Sequence, residues 1–371
     1  MMSTPIAIRT SCNLPAMSNF PALHDDTLHA AGLTGGSLVC ADGLIWLPYD
    51  VTREPETPRG LEALAGRRPL HCASKVPFTL DWARLREVHI LNASGVALGD
   101  AIVAFSVLSA LKARHPHLEL VIHQARHAPA SVRQLAELAR PLIGELRLLP
   151  QPVASIPPDA TLIDLGDFAY WPAFDELPMF DFFAHALGTH PDTLPASARR
   201  NAWLQRLDLP EPPPPWRDDA YALFVPLSSS PLREIAPEAR PEFVSRMADF
   251  YGLPVVGCAE IDAPRYHCVA GHSRNTAQFL GWIRAARVLV TTDTAALHAA
   301  AGFDIPTLAG FVSIDPAMRA AGYPFCTALD LRRPALHGLH HSEDPALLAL
   351  AQSAWNEALK RELPWPAPGP A

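Results

Sequence analysis

Three short stretches gather the residue types that handle phosphate and protons. In the first, a β-branched apolar run from Val288 to Thr292 hands the chain to Asp293-Thr294 and then to an Ala-rich segment carrying His298 one helical turn on. A strand that turns over into a helix in this way leaves the backbone N–H groups of Thr294, Ala295, Ala296 and Leu297 without intrahelical partners. A diphosphate would sit at such an end. Asp and Thr are equally ordinary N-caps, so the pattern alone leaves both readings open. In the second stretch, S-S-S-P-L-R at 228–233 offers hydroxyls, Ser229 among them, and the paired donors of Arg233. The third, S-G-V-A-L-G-D at 94–100, has Gly95 and Gly99 spaced for a sharp turn over a sheet and ends on Asp100, a carboxylate at a helix start. An N-cap is the ordinary reading of such an Asp.

The elements that must position these groups alternate in type. V-H-I-L-N at 88–92 reads as a buried strand, with a helix from Asp100 to about Arg114. Strands at 118–122, 145–149 and 161–165 follow, with a helix near 128–140. Such βαβ alternation implies a parallel sheet with right-handed crossovers. Leu209 to Arg217, L-P-E-P-P-P-P-W-R, is the clearest linker. A second series opens at 221–227, continues through a helix from Pro237 to Tyr251, the strand L-P-V-V-G and a helix N-T-A-Q-F-L-G-W-I-R-A-A, and reaches the Asp293 junction. There Gly302 is expected to stop the helix before a strand at 305–308. A last amphipathic helix, carrying Leu347, Leu348, Ala351, Trp355 and Leu359 on one face, is placed to cross back and brace the first domain.

D-T-A-A-L-H-A-A-A-G-F-D-I-P-T-L, from Asp293 to Leu308, resembles the nucleotide-binding signature of the ADP-heptose glycosyltransferases, the heptosyltransferase family of lipopolysaccharide synthesis (glycosyltransferase family 9-like). S-G-V-A-L-G-D-A-I-V with A-L-K-A-R-H-P behind it is similar to the opening motif of that family, in the right order and nearly two hundred residues earlier. The resemblance implies that Asp100 is the general base and that Ser94, Gly99, Ser229, Arg233 and the run Asp293, Thr294, Ala295, Ala296, Leu297 and His298 bind the donor. Ala295 stands where the family usually has Gly, and Arg233, Ile235 and Pro237 stand in for its usual Lys-x-Trp-Pro.

Composition narrows the remaining classes. A net charge of −8 argues against a nucleic-acid partner held through phosphates. Six cysteines, from Cys12 to Cys326, make no C-x-x-C pair and fit reduced thiols in a cytoplasm. Residues 1–35 show no leader pattern, and no stretch approaches a membrane span, which leaves peripheral membrane contact open. Neither G-x-G-x-x-G nor a P-loop is present, which disfavours a nicotinamide oxidoreductase. H-G-L-H-H at 337–341 has the spacing of a flexible loop rather than of a metal site, and no cofactor or metal is expected.

The sequence therefore predicts an α/β chain of GT-B type: two Rossmann-like doubly wound domains facing a cleft, plus a small N-terminal β-containing extension. The expected divisions are 1–85 (extension, with a hairpin about Ala41-Asp42-Gly43), 86–208 (acceptor domain), 209–217 (linker), 218–341 (nucleotide-sugar domain) and 342–371 (helix and tail). Asp167, Tyr170 and Trp171, at the exit of the 161–165 strand, are candidate acceptor contacts, although an aromatic cluster is more often core than site. The expected activity is metal-independent, inverting transfer of a heptose or related sugar from an ADP-sugar to a saccharide or protein hydroxyl. A nucleotide-sugar-binding scaffold without turnover is the alternative.

Overall fold

The computed structural model describes residues 36–369. The first 35 residues of the expected extension, Cys12 included, lie outside them. In the first α/β unit, strands β4 (Glu87–Leu91), β5 (Glu119–Gln124), β6 (Glu145–Leu148) and β8 (Thr161–Asp164) form an all-parallel sheet in the order β6-β5-β4-β8. The second unit orders β9 (Ala222–Val225), β10 (Val255–Gly257), β11 (Tyr266–Cys268), β12 (Val288–Thr292), β13 (Thr307–Phe311) and β14 (Cys326–Asp330) as β11-β10-β9-β12-β13-β14. In both sheets the first strand in sequence lies beside the fourth, so each has a switch point where crossovers diverge and a crevice opens at the strand ends. The strands are short, and β4, β9, β12 and β13 are buried nearly end to end, as parallel strands covered on both faces require. This is the two-unit GT-B arrangement predicted above.

Residues 36–85 share a core with the first unit rather than standing apart. β1 (Leu38–Val39) pairs antiparallel with β2 (Leu44–Trp46) across the turn at Gly43, whose φ is +74°, and with β3 (Glu62–Ala63) on its other side. β2 then pairs with β7 (Gln151–Pro152), which belongs to the first unit. The Ser37 backbone N–H and hydroxyl both donate to Asp164 at the end of β8, each at 2.7 Å.

Several expected details are corrected. The helix expected to start at Asp100 is Leu98–Arg114 with Ala97 as its N-cap, so Asp100 is a first-turn residue and not a cap. The strand expected at 305–308 runs from Thr307 to Phe311, because the Ile305 N–H still donates back to the Ala300 carbonyl of the helix at 3.0 Å. The helix does stop at Gly302 as expected, though without a left-handed φ. Gly302 is the last helical residue, and a Cβ there would meet the Asn201 carbonyl oxygen and a Leu204 methyl, both at 2.7 Å. The C-terminal helix, Pro345–Ala358, does not brace the first unit. It closes the second unit's own core, with Trp355 fully buried edge-on to Phe243 and pressed on Gly310. Loss of that indole would cost about 3–5 kcal/mol.

The two units are joined by packing as well as by the linker. One hydrophobic cluster runs from Val88 and Phe105 in the first unit to Trp282, Ala296 and Phe303 in the second. Arg284 donates to the Leu209 carbonyl at 2.8 Å, and Gly281 lets Pro210 approach so closely that a Cβ would meet its carbonyl oxygen at 2.2 Å.

Candidate functional site

A cavity of about 960 Å³ lies between the carboxyl edges of the two sheets. That volume is in the range of small-molecule sites. From the first unit it is lined by the Ala97–Asp100 turn, Tyr170 and Phe174; from the second, by Ser229, Arg233, Asp293 to Ala295, His298, Arg319 and His340.

The two helix starts meet there. Gly99 lies so close to the second unit that a Cβ would come within 2.9 Å of His298 Cδ2 and 3.7 Å of the Ala295 Cα. The turn reaching Gly99 depends on Gly95, with φ +56° and a Cβ position already filled by the Phe168 ring at 2.6 Å. Asp100 is therefore carried to the floor of the cleft at the positive end of its own helix. Burial pushes its carboxyl up to about 6, even though Arg319 and Arg233 pull the other way.

Asp293 lies across the same cleft with the opposite balance. Burial opposes its ionisation, but Arg233 and Arg319 outweigh it and hold the carboxyl below its ordinary range. Arg233 Nη1 donates to Asp293 Oδ2 at 3.0 Å and its Nη2 to Ser229 Oγ at 3.1 Å, while Arg319 Nε lies 3.9 Å from Asp293 Oδ1. The side chains of both arginines are mostly buried, 14% and 4% exposed, so one carboxylate serves two cations. Arg233 Nε and Arg319 Nη1 are buried N–H groups with no acceptor. Unpaired guanidinium donors in a low-dielectric cleft are costly unless an anion arrives.

The structure redistributes the other sequence candidates. Thr294 and Ala295 line the cleft, and Thr294 is the N-cap with no side-chain bond of its own, whereas Asn275, Asp315 and Asp344 each cap their helices through their side chains. Ala296 and Leu297 have fully buried side chains, so each could offer a ligand only its backbone N–H, and that of Leu297 already donates to the Thr294 carbonyl at 3.0 Å. Ser94 is also a correction: it is fully buried, accepts from Gln124 at 3.4 Å, and does not line the cavity. His298 lines the cleft but is depressed to about 4 by burial, and its Nδ1 meets the Tyr323 hydroxyl at 2.7 Å. It is neutral at physiological pH and brings no charge to a diphosphate.

Of the three acceptor candidates, only Tyr170, 49% exposed, lines the cleft. Trp171 packs edge-on to Phe182 in the core, and Asp167 is buried at the turn before Phe168–Tyr170. The 337–341 segment is not a loose loop. The Gly338 N–H donates to the Ser313 carbonyl at 3.0 Å, and His341 Nδ1 lies 3.2 Å from Ser230 Oγ, which presents His340 to the cavity.

Sequence reasoning passed over Arg319. Its signal was present: β13 runs out at the same edge as β12, and Asp315-Pro316 caps and opens the helix Pro316–Ala320 that carries it. His298 is in turn held from behind by Asn201, whose Nδ2 donates to the His298 carbonyl at 3.1 Å and to the Tyr323 hydroxyl at 2.9 Å. Asn201 sits in a left-handed conformation, φ +61°, and no local pattern marks it.

No family model matches the sequence, and no curated protein matches it. Solved structures are similar in fold. E. coli ADP-heptose lipopolysaccharide heptosyltransferase II is 17% identical, over 74% of this chain and 98% of that one, with a TM-score of 0.46. A glycosyltransferase family 9 protein from Veillonella parvula is 12% identical, over 68% and 87%, with a TM-score of 0.45. The iron-containing dodecameric glycosyltransferase TibC from enterotoxigenic E. coli is also 12% identical, over 88% and 90%, with a TM-score of 0.45. Among the described residues no group of three or more His, Cys, Asp or Glu is gathered to hold a metal, and no helix is long and apolar enough to cross a membrane.

Proposed function

We propose that this protein is a glycosyltransferase that moves a sugar from a nucleoside diphosphate donor, an ADP-heptose or close relative, to an acceptor hydroxyl. One observation carries the reading. Two buried guanidiniums share a single carboxylate and keep unpaired N–H groups, and they face, within one cleft, a carboxyl that burial raises to about 6. An anion and a proton acceptor are thus provided for side by side.

In this scheme the donor diphosphate meets the Arg233 and Arg319 guanidiniums where they line the cleft and the backbone N–H groups at Thr294 and Ala295. The acceptor O–H gives its proton to Asp100 as its oxygen forms a bond to the anomeric carbon. The bond from that carbon to the phosphate oxygen breaks, and the electron pair leaves with the nucleoside diphosphate. Attack opposite the leaving group inverts the anomeric centre. Negative charge grows on the leaving phosphate, where the two arginines and the helix start already lie, so the scheme needs no divalent ion. The Ala295 methyl lines the cleft, and the phosphate would rest on the Thr294 side of it.

The test is a panel of nucleotide sugars screened by thermal shift, followed by ADP release and mass spectrometry of the product. Stabilisation by an ADP-sugar together with acceptor-dependent ADP release supports the transferase. Binding with no release for any acceptor hydroxyl, saccharide or peptide, moves the protein to the non-catalytic binding class.

A further inference from the structure

The cavity is crossed at one rim by a contact that the scheme above does not use. Phe174 and Asp175, from the short helix Pro172–Glu176 of the first unit, meet His340 and Arg319 of the second. His340 Nε2 lies 2.6 Å from Asp175 Oδ1, and its ring stacks on Phe174 with centroids 5.6 Å apart and planes at 30°. The other ring nitrogen, Nδ1, lies 3.4 Å from Arg319 Nη2, and the Arg319 guanidinium also stands 5.3 Å over the Phe174 ring. A carboxylate only accepts, so Nε2 carries the hydrogen and Nδ1 presents a lone pair to the arginine.

We propose that His340 is a positioning residue: through its bridge to Asp175 it fixes the Arg319 guanidinium to receive the diphosphate, and it does so only while the two units are closed on each other. This deepens the reading given above and rests on it. Arg319 has few other constraints. Its Nε is 3.9 Å from Asp293, a loose ion-pair distance, and its Nη1 has no partner, so orientation falls to the His340 lone pair and the Phe174 face. Both of these depend on the first unit, since Phe174 belongs to it and His340 is turned by Asp175. His340 itself is set by its own unit through the flanking bonds of Gly338 and His341. Opening of the cleft removes the aromatic face and the carboxylate together, leaving Arg319 free to rotate. Anion affinity is thereby tied to closure without any contact between the first unit and the anion.

The test uses the full chain and two probes, ADP and inorganic pyrophosphate, titrated by calorimetry at pH 8. His340→Ala and Asp175→Asn are each expected to weaken both probes by about five- to tenfold, the double variant being no weaker than the worse single, because the two side chains act as one unit. His340→Gln, whose amide can donate to Asp175 and accept from Arg319, is expected to recover most of the loss, which a general packing defect would not allow. In the transfer assay kcat/KM for the donor falls by at least the same factor, because the guanidinium that binds the diphosphate also meets the charge that grows on it, and His340→Gln recovers both. Variants that fold as the parent does, by circular dichroism and melting, yet bind both probes with parental affinity overturn the proposal alone. A parent that binds pyrophosphate but not ADP removes the nucleotide-sugar reading, and the variant series on pyrophosphate still decides the role of His340. A parent that binds neither probe overturns both.

Discussion

The two walls of the cleft each bring one aspartate to the same space, and the two carboxyls are driven in opposite directions. On the second unit Asp293 is gripped by Arg233 at 3.0 Å and approached by Arg319, and its carboxyl is held below the ordinary range. On the first unit Asp100 is raised to about 6, because burial outweighs the same two cations acting from further off. Identical side chains thus serve as a fixed counter-ion and as a titrating group. What separates them is whether an arginine touches the carboxylate or only sees it.

The sharpest way to break this comparison is to neutralise each aspartate in turn. Asp100→Asn is expected to lower the transfer rate about a thousandfold while ADP affinity, read by calorimetry, changes less than twofold. A variant that still transfers sugar at the parental rate removes Asp100 as the base. Asp293→Asn leaves two buried guanidiniums without a counter-charge. A loss of about 3–5 kcal/mol in urea unfolding is expected, partly restored by millimolar pyrophosphate.

The pH dependences have opposite signs. Asp293 has a depressed folded pKa, so its stabilisation is present above the ordinary range near 4 and is lost as the pH falls through the depressed value. Asp100 has a raised one, so the proton it holds favours the folded state below about 4, and that advantage is lost as the pH rises through about 6. Asp100→Asn should accordingly match the parent in stability near pH 4 and exceed it by about 2 kcal/mol at pH 8, measured by unfolding at both values. In the parent, kcat/KM should fall about tenfold per pH unit below 6 and level off above 7. The smallest effect is expected at Ser94. Ser94→Ala should leave donor affinity within twofold, and a tenfold loss would put that hydroxyl back among the ligands.

Much of the cleft was legible because local pattern and chemistry coincide in it. The Asp293-Thr294 junction is a β-branched strand ending on polar residues before alanines, and the structure turns there as the pattern requires. Gly95 and Gly99 were legible for the same reason, since only glycine permits the φ of one and the close approach of the other. The burial of Ser94 and the pairing of the Leu297 N–H were not legible, because a motif specifies neighbours along the chain, whereas accessibility depends on which face the rest of the fold covers. Trp171 was left open by its pattern: an aromatic at a strand exit serves core or cleft, and the Phe168, Phe174 and Phe182 cluster decided for the core. The C-terminal helix announced its apolar face but not its partner. Gly310, more than forty residues before Trp355 in the chain, made the hollow that took the indole.

The sequence by itself determined the two parallel α/β series, the order of their strands along the chain, and the glycines and aspartates at two strand-to-helix turns. These depend on side-chain period and backbone sterics over a few residues, which any short window displays. Only the tertiary structure decided that both turns open on one cavity, that Arg319 joins Arg233 on a single carboxylate, and that His340 reaches over to Asp175. The reason is physical: ionisation and hydrogen-bond satisfaction depend on distance and burial, and those are fixed by the packing of segments far apart in the chain.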